Sequence, residues 1–292
     1  MIKRAVVLAA GLGTRLVPYS KEMPKEMLPI FIGEAGGYVL KPILQIVFEQ
    51  LYDAGVREFF FVVGRGKRAV ENHFTPDWEY VNFLRMKKKY VQADMLEAFY
   101  RKVEDSFIGW VYQPVPKGTG DAVLRAERLV DDGDFIVAAG DNLYIGENVP
   151  RRLVELHDRL GGSWLTVKRV ADPRKYGVVS GKPVEESVVE VEEIVEKPPE
   201  PKSDLANTSL YIFSPEIFDC IRDTRPSPRG EIEITSSIQL HINRGGKVYA
   251  YVADTYWVDV GTPETYLEAL IYSLKLSADS ESLSRVVEIL NR

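Results

Sequence analysis

Near the amino terminus, Ala5-Val6-Val7-Leu8-Ala9-Ala10 is an unbroken apolar run that stops at Gly11-Leu12-Gly13-Thr14-Arg15. A strand that is apolar on both faces belongs inside a parallel sheet covered by helices, so the chain opens as an α/β protein. Two glycines directly after such a strand let backbone amides turn inward toward a polyphosphate, and Arg15 adds a guanidinium fork suited to phosphate oxygens. The commoner phosphate loops are absent. The dinucleotide fingerprint needs a third glycine where Leu16 stands, and the P-loop needs Gly-Lys-Ser/Thr. On this loop alone, a tight turn without a ligand remains open.

The rest of the chain continues the pattern. Apolar residues from Ile43 to Leu51 recur at helical spacing, Gly55 follows as a helix stop, and Phe59-Phe60-Phe61-Val62-Val63 reads as a second buried strand ending at Gly64. This strand, helix, strand order suits a right-handed parallel crossover. Residues 77–104, rich in charge and poor in Gly and Pro, predict one or two surface helices. Strands are expected at 110–112 and 135–139, with a helix around 122–129 between them. Shorter strands at 164–167, 177–179, 188–195 and 210–213 are broken by Pro and Gly, so mixed or antiparallel pairing is expected there. Tyr266, Leu267, Leu270, Ile271 and Leu274 form an apolar face on a tail helix. That face is read first as packing on its own domain, with a homo-oligomer as the other use.

Composition removes several classes. A net charge of −6 argues against a broad nucleic-acid surface, so any phosphate site must be local. The single Cys220 excludes an intramolecular disulfide, and with three histidines it cannot make a Cys-rich zinc centre. No apolar run is long enough for a membrane span, and no cleavable leader is evident. A cytoplasmic protein without nucleic-acid or membrane partners is expected.

Pro24-Lys25-Glu26-Met27-Leu28-Pro29 places a second cation just after the glycine loop. Together these segments resemble the start of the sugar-1-phosphate nucleotidyltransferases. The similarity runs in order from residue 4 to about residue 269, through Gly64 to Phe74, Gln113 to Ala122, Gly140-Asp141-Asn142, Tyr176-Gly177-Val178-Val179, Val195-Glu196-Lys197-Pro198, Ala206-Asn207-Thr208 and Trp257 to Pro263. It is strongest to the UTP:glucose-1-phosphate uridylyltransferase branch, with the thymidylyltransferases next. The resemblance implies a Rossmann-like, GT-A-like fold: a mixed, mostly parallel sheet flanked by helices, with a small sugar-binding β subregion. It also implies a catalytic domain over 1–262 and a helical tail over 263–292.

The resemblance assigns roles residue by residue. Leu8, Ala10, Gly11, Gly13, Thr14 and Arg15 would hold the nucleotide, with Gln113 and Gly118 at the base, where a glutamine amide offers donor and acceptor. Tyr176, Gly177, Glu196, Lys197 and Asn207 would hold the sugar phosphate. Asp141 and Asp259 would share one Mg²⁺, and Arg15, Lys25 and Lys197 would be the catalytic cations. The implied substrates are UTP, or dTTP, and glucose 1-phosphate. Four departures stand out: Asn142 where the uridylyl branch has a second Asp, Asp121 in place of His or Gln, Ser209 in place of Gly, and an insertion over Gly33 to Tyr38. A catalytically silent, nucleotide-sugar-sensing subunit stays open, and a nicotinamide dehydrogenase is disfavoured by the missing third glycine. Lys25→Ala and Asp141→Ala are expected to abolish most turnover while leaving folding nearly intact.

Overall fold

The computed structural model describes residues 2–34, 37–278, 283–285 and 287–288. From the amino terminus come β1 (Arg4–Ala9), the hairpin β2 (Pro29–Glu34) and β3 (Gly37–Pro42), α1 (Ile43–Asp53) and β4 (Glu58–Val63). Then follow α2 (Arg68–His73), α3 (Trp78–Met86), α4 (Tyr90–Glu104), β5 (Phe107–Tyr112), α5 (Thr119–Leu124), α6 (Glu127–Val130), β6 (Phe135–Ala139) and β7 (Asn142–Ile145). The remainder is α7 (Val149–Leu160), β8 (Ser163–Arg169), β9 (Gly177–Glu185), β10 (Val188–Glu196), β11 (Leu205–Phe213), α8 (Ile217–Asp223), α9 (Ile234–Asn243), β12 (Val248–Val252), β13 (Tyr256–Asp259) and α10 (Pro263–Ser277).

Nine strands form one sheet in the order β5-β4-β1-β6-β11-β8-β12-β10-β9. Its first four strands are parallel, and strict alternation assigns their side chains to two cores. Ala5, Val7, Phe59 and Phe61 face one helical layer, while Val6, Phe60 and Val62 face the other. This explains the unbroken apolar runs. From β11 onward only β8 and β12 pair in parallel; the remaining pairings are antiparallel. The expectation of a mostly parallel sheet is therefore corrected: it holds for the first half alone. The second half was open to antiparallel pairing because its connections are short, and short connections cannot carry a parallel crossover.

Strand β11 changes partner midway. Its end, Leu210–Phe213, pairs with β6, whereas Leu205 and Ala206 pair with β9, which closes β8, β12, β10, β9 and β11 into a ring. A gap is thereby left between the end of β6 and the start of β9. The pairing of β11 with β8 slips between Asn207 and Tyr211, and Ser209 within that slip has φ of +56°.

The insertion at 33–38 extends the β2–β3 hairpin, with residues 35–36 outside the described set. Helix α10 packs on this hairpin: the Tyr266 hydroxyl donates to Pro29 O at 2.9 Å, and Phe31 N donates to Ser273 Oγ at 3.2 Å. The apolar stripe of the tail splits, since Leu267 and Ile271 are exposed. Much of the tail beyond residue 278 lies outside the described residues. The helix expected around 122–129 is two short ones, α5 and α6, broken between Leu124 and Glu127. Among the described residues, no helix is long and apolar enough to cross a membrane.

Candidate active site

The carboxyl ends of β1, β4 and β6 converge because glycines let them. Gly140 N donates to Leu8 O at 2.8 Å, and a Cβ at Gly140 would lie 3.1 Å from that oxygen. A Cβ at Gly64 would meet Ala10 O at 2.9 Å. Beyond β1, Gly13 has φ of +64°, and its carbonyl accepts from Ser20 Oγ at 2.6 Å, which folds the loop back over Lys25. That loop opens a cavity of about 380 Å³, a volume suited to a nucleotide-sized ligand. Leu8, Ala10, Gly11, Arg15 and Lys25 line it on the amino-terminal side. Gly13 and Thr14 are not on its wall; Gly13 shapes the loop from behind.

The two aspartates meet through a two-stranded ribbon. β13 pairs with β7 so that Asp259 lies opposite Asn142, and Val260 N donates to Asp141 O at 3.0 Å. Asn142 is tied into this corner, donating to Asp141 Oδ1 at 3.3 Å and accepting from Trp257 Nε1 at 2.8 Å. Lys25 forms a mostly buried ion pair with Asp141. Burial works against the charge on Lys25, yet Asp141 and Glu26 outweigh it and hold its pKa above the usual lysine range. Burial also opposes the charge on Asp141, but Lys25 keeps that carboxyl below its ordinary range. Asp259 has no such partner: burial and the facing Asp141 push it up to about 6, against the pull of Lys25, Arg15 and Lys197. Arg15 reaches this corner over Gly261, where a Cβ would sit 2.6 Å from its Nη2.

Two neighbouring carboxylates, one of them under-compensated, fit a hard divalent cation that completes its shell with phosphate oxygens and water. Among the described residues, no group of three His, Cys, Asp or Glu gathers to make a closed metal site. Asp141 and Asp259 thus fit Mg²⁺ shared with a substrate, rather than a structural metal.

The opposite side of the cavity grows from the break in β11. Gly177 pairs with Glu196, and a Cβ on Gly177 would crowd Thr235 Cγ2 at 2.8 Å. Glu196 accepts from Thr235 Oγ1 at 3.1 Å and pairs with Lys197 Nζ at 3.0 Å. Lys197 has φ of +45°, and its N–H donates to Tyr176 O at 3.0 Å, so the strand end is twisted toward the cavity. Asn207 is buried and donates to the Tyr211 hydroxyl at 2.6 Å. Tyr176 packs edge-on to Trp257, with ring centroids 5.2 Å apart, and so joins this side to the aspartate ribbon.

Gln113 and Gly118 line the cavity wall beside β1. Gly118 has φ of +100°, and any Cβ there would collide with Ile232 O, so its loop lies tight against the segment before α9. The expectation that Gln113 offers both donor and acceptor is corrected. Its Nε2 already donates to Gly118 O at 3.1 Å and to Asp121 Oδ2 at 2.7 Å.

Apart from Gly13 and Thr14, every residue expected at the site lines this one cavity. The chain also contributes residues that motif reading missed. Glu26 is buried and pairs with Lys67 Nζ at 2.7 Å, directly behind Lys25; burial pushes its pKa up against the pull of Lys67 and Lys25. Arg229, Glu231 and Glu233 enter from the loop before α9, with Arg229 Nη2 2.6 Å from Glu233 Oε1. Burial and Glu196 raise the Glu233 pKa. The one signal for this loop was Arg229-Gly230-Glu231 ahead of an apolar helix, a pattern common at ordinary helix starts.

A glycine loop, a buried lysine–aspartate pair, a second aspartate and a twisted strand end surround one cavity on a mixed α/β sheet. The sequence profile of the nucleotidyl transferase family matches residues 4–275, and the chain belongs to that family. It is 40% identical over 244 residues to a Methanocaldococcus jannaschii protein provisionally named a UTP–glucose-1-phosphate uridylyltransferase, covering 82% of each chain. To the UTP–glucose-1-phosphate uridylyltransferase of Pseudomonas aeruginosa it is 35% identical over 278 residues, 92% of this chain and 95% of that one. A solved UDP-glucose pyrophosphorylase in complex with UDP-glucose superposes with a TM-score of 0.83 at 32% identity, covering 94% of this chain and 99% of that one.

Proposed function

We propose that the chain transfers the uridylyl group of UTP to glucose 1-phosphate, giving UDP-glucose and pyrophosphate. The observation that carries this reading is that Arg15, Lys25, Asp141, Asp259 and Lys197 line one cavity, with the glycine loop on one side and Gly177 and Glu196 on the other. A phosphate oxygen of glucose 1-phosphate attacks the α-phosphorus of UTP, the bond from that phosphorus to the bridging oxygen breaks, and pyrophosphate leaves with the electron pair. Positioning and charge stabilisation suffice for such a step, so no side-chain nucleophile is called for.

Arg15 and Lys25 are assigned to the departing pyrophosphate and Lys197 to the attacking phosphate. Glu196 accepts from sugar hydroxyls, and the Gly177 backbone, without a Cβ, allows the ring to approach. Asp141 and Asp259 would hold Mg²⁺, which when bound supplies charge neutralisation at the α-phosphate. The single, buried Cys220 suits the reducing cytoplasm that this reading expects. A homo-oligomer would use the exposed Leu267 and Ile271 of α10, and light scattering on a variant with both changed to Ser tests that.

Purified protein, glucose 1-phosphate and Mg²⁺ incubated with UTP, dTTP, CTP, ATP or GTP in turn, with products identified by mass, tests the function. UDP-glucose should dominate. Faster formation of dTDP-glucose would move the assignment to a thymidylyltransferase, and no nucleotide sugar from any triphosphate would support a silent, sensing subunit.

A further inference from the structure

Asp121 is one of the departures from the family pattern, and its surroundings give it a use. Gln113 has two amide N–H donors and one carbonyl acceptor. Both groups that meet its amide nitrogen are acceptors, Gly118 O at 3.1 Å and Asp121 Oδ2 at 2.7 Å. Turning the amide over would press Oε1 against two oxygens, one of them charged, in a place where both side chains are buried. The amide therefore has one orientation, and Oε1 is left for the cavity that Gln113 lines. Asp121 is fixed in turn by Arg125, whose Nη2 donates to its other oxygen at 3.1 Å. Its backbone sits in the first turn of α5, held to the segment before α9 by Gly120 N donating to Ile232 O at 2.8 Å.

We infer that Asp121 is a positioning residue that sets which pyrimidine the site accepts. By holding the Gln113 amide nitrogen it turns a carbonyl oxygen toward the base. That oxygen accepts from the N3–H of uracil or thymine and opposes the unprotonated N3 of cytosine. The inference rests on the proposed uridylyl transfer, with Gln113 at the base.

The test compares kcat/KM for UTP and CTP, each with glucose 1-phosphate and Mg²⁺, in the native chain and in Asp121→Asn. An unmatched buried polar pair rejects the wrong base by about 100-fold or more, and that is the ratio expected of the native chain. In Asp121→Asn the new amide can donate to Gln113 Oε1, which leaves Gly118 O as the one acceptor still favouring the native orientation, so Gln113 samples both and presents its nitrogen to the cavity part of the time. The UTP-to-CTP ratio should then fall by at least about tenfold, or about 1.4 kcal/mol, with kcat/KM for CTP rising in absolute terms. If both substrates lose by the same factor and the ratio is unchanged, Asp121 serves structure alone and the inference is overturned. Asp121→Ser, which also removes the charged acceptor, gives the same readout should the first variant fail to fold. A native chain that uses CTP as readily as UTP also overturns the inference while uridylyl transfer stands. A native chain that makes no UDP-glucose overturns both.

Discussion

The two sides of the cavity are built in different ways. On the amino-terminal side, Leu8, Ala10, Gly64, Gln113, Gly140 and Asp141 sit at or just beyond the carboxyl ends of parallel strands, where an open α/β sheet places its ligands. The lysines there are pinned: Lys25 is mostly buried against Asp141, and Lys67 closes off Glu26 behind it, whereas Arg15 is exposed. On the other side, Lys197 and Ser209 adopt left-handed backbone conformations at a strand end and a register slip, and Lys197 is nearly half exposed. A pinned charge suits stabilisation of a leaving group at a fixed place, and a more open one suits capture and release of a sugar phosphate. Four substitutions or conditions test that contrast.

The largest effect is expected at Lys25→Ala. Loss of one charge-stabilising group costs about 3 kcal/mol of barrier, so pyrophosphate release should fall by roughly 100-fold or more. The sequence-based expectation that folding stays nearly intact does not survive the geometry. Removing one partner of a buried pair leaves an uncompensated carboxylate and destabilises by roughly 3–5 kcal/mol. Melting curves check this: Tm should drop, and Mg²⁺ should raise the Tm of the variant more than that of the native chain, by neutralising the freed Asp141.

Lys197→Met comes next. With its exposed charge gone, kcat/KM for glucose 1-phosphate should fall by roughly 10- to 100-fold, while Tm and the KM for UTP change little. An equal rise in KM for both substrates would erase the distinction between the two sides.

A third test concerns the packing behind the amino-terminal side. His73 stacks on Phe99 with centroids 5.0 Å apart and donates from Nε2 to Gln45 Oε1 at 3.0 Å. Burial lowers its pKa to about 4 from the ordinary 6.5. The unfolded chain therefore takes up a proton below about pH 6.5 that the folded chain refuses until about pH 4. Stability is full above that window and is lost as pH falls through it, by about 2 kcal/mol between pH 7 and pH 5. Urea unfolding of the native chain and of His73→Gln at the two pH values gives the His73 contribution by difference, because Asp259, pushed up to about 6, acts in the opposite sense and is common to both.

The smallest effect is on the other side. Ser209→Gly removes the penalty of a side chain at φ of +56° and should stabilise the chain by up to about 1 kcal/mol, read as a modest rise in Tm. No gain would mean that the Ser209 contacts offset the strain.

The same contrast explains what could be read from the residues. Strands β1, β4 and β6 and the loops after them were legible because a fully apolar run ending in glycine leaves few other structures open. The aspartate pair was legible only through resemblance, since Asp141 and Asp259 are brought together by the pairing of β7 with β13, which spans more than a hundred residues of chain. Strand β12 went unseen although its signals are present: Gly245-Gly246 marks a turn just before Val248-Tyr249-Ala250-Tyr251-Val252, which is β-branched and aromatic in composition. Glu26 and Lys67 were visible as letters, but nothing local says that a carboxylate beside a loop lysine will be sealed in by a cation 41 residues later. Arg229, Glu231 and Glu233 needed the tertiary contact between Ile232 and the 117–120 loop before they could be placed at the cavity.

The central claim is that UTP and glucose 1-phosphate occupy the two sides of one cavity together and react directly. Initial rates of pyrophosphate release with both substrates varied test it most directly. Intersecting reciprocal plots, and no pyrophosphate from UTP when the sugar phosphate is withheld, are the predicted result. Parallel plots, or stoichiometric pyrophosphate release from UTP alone, would contradict it.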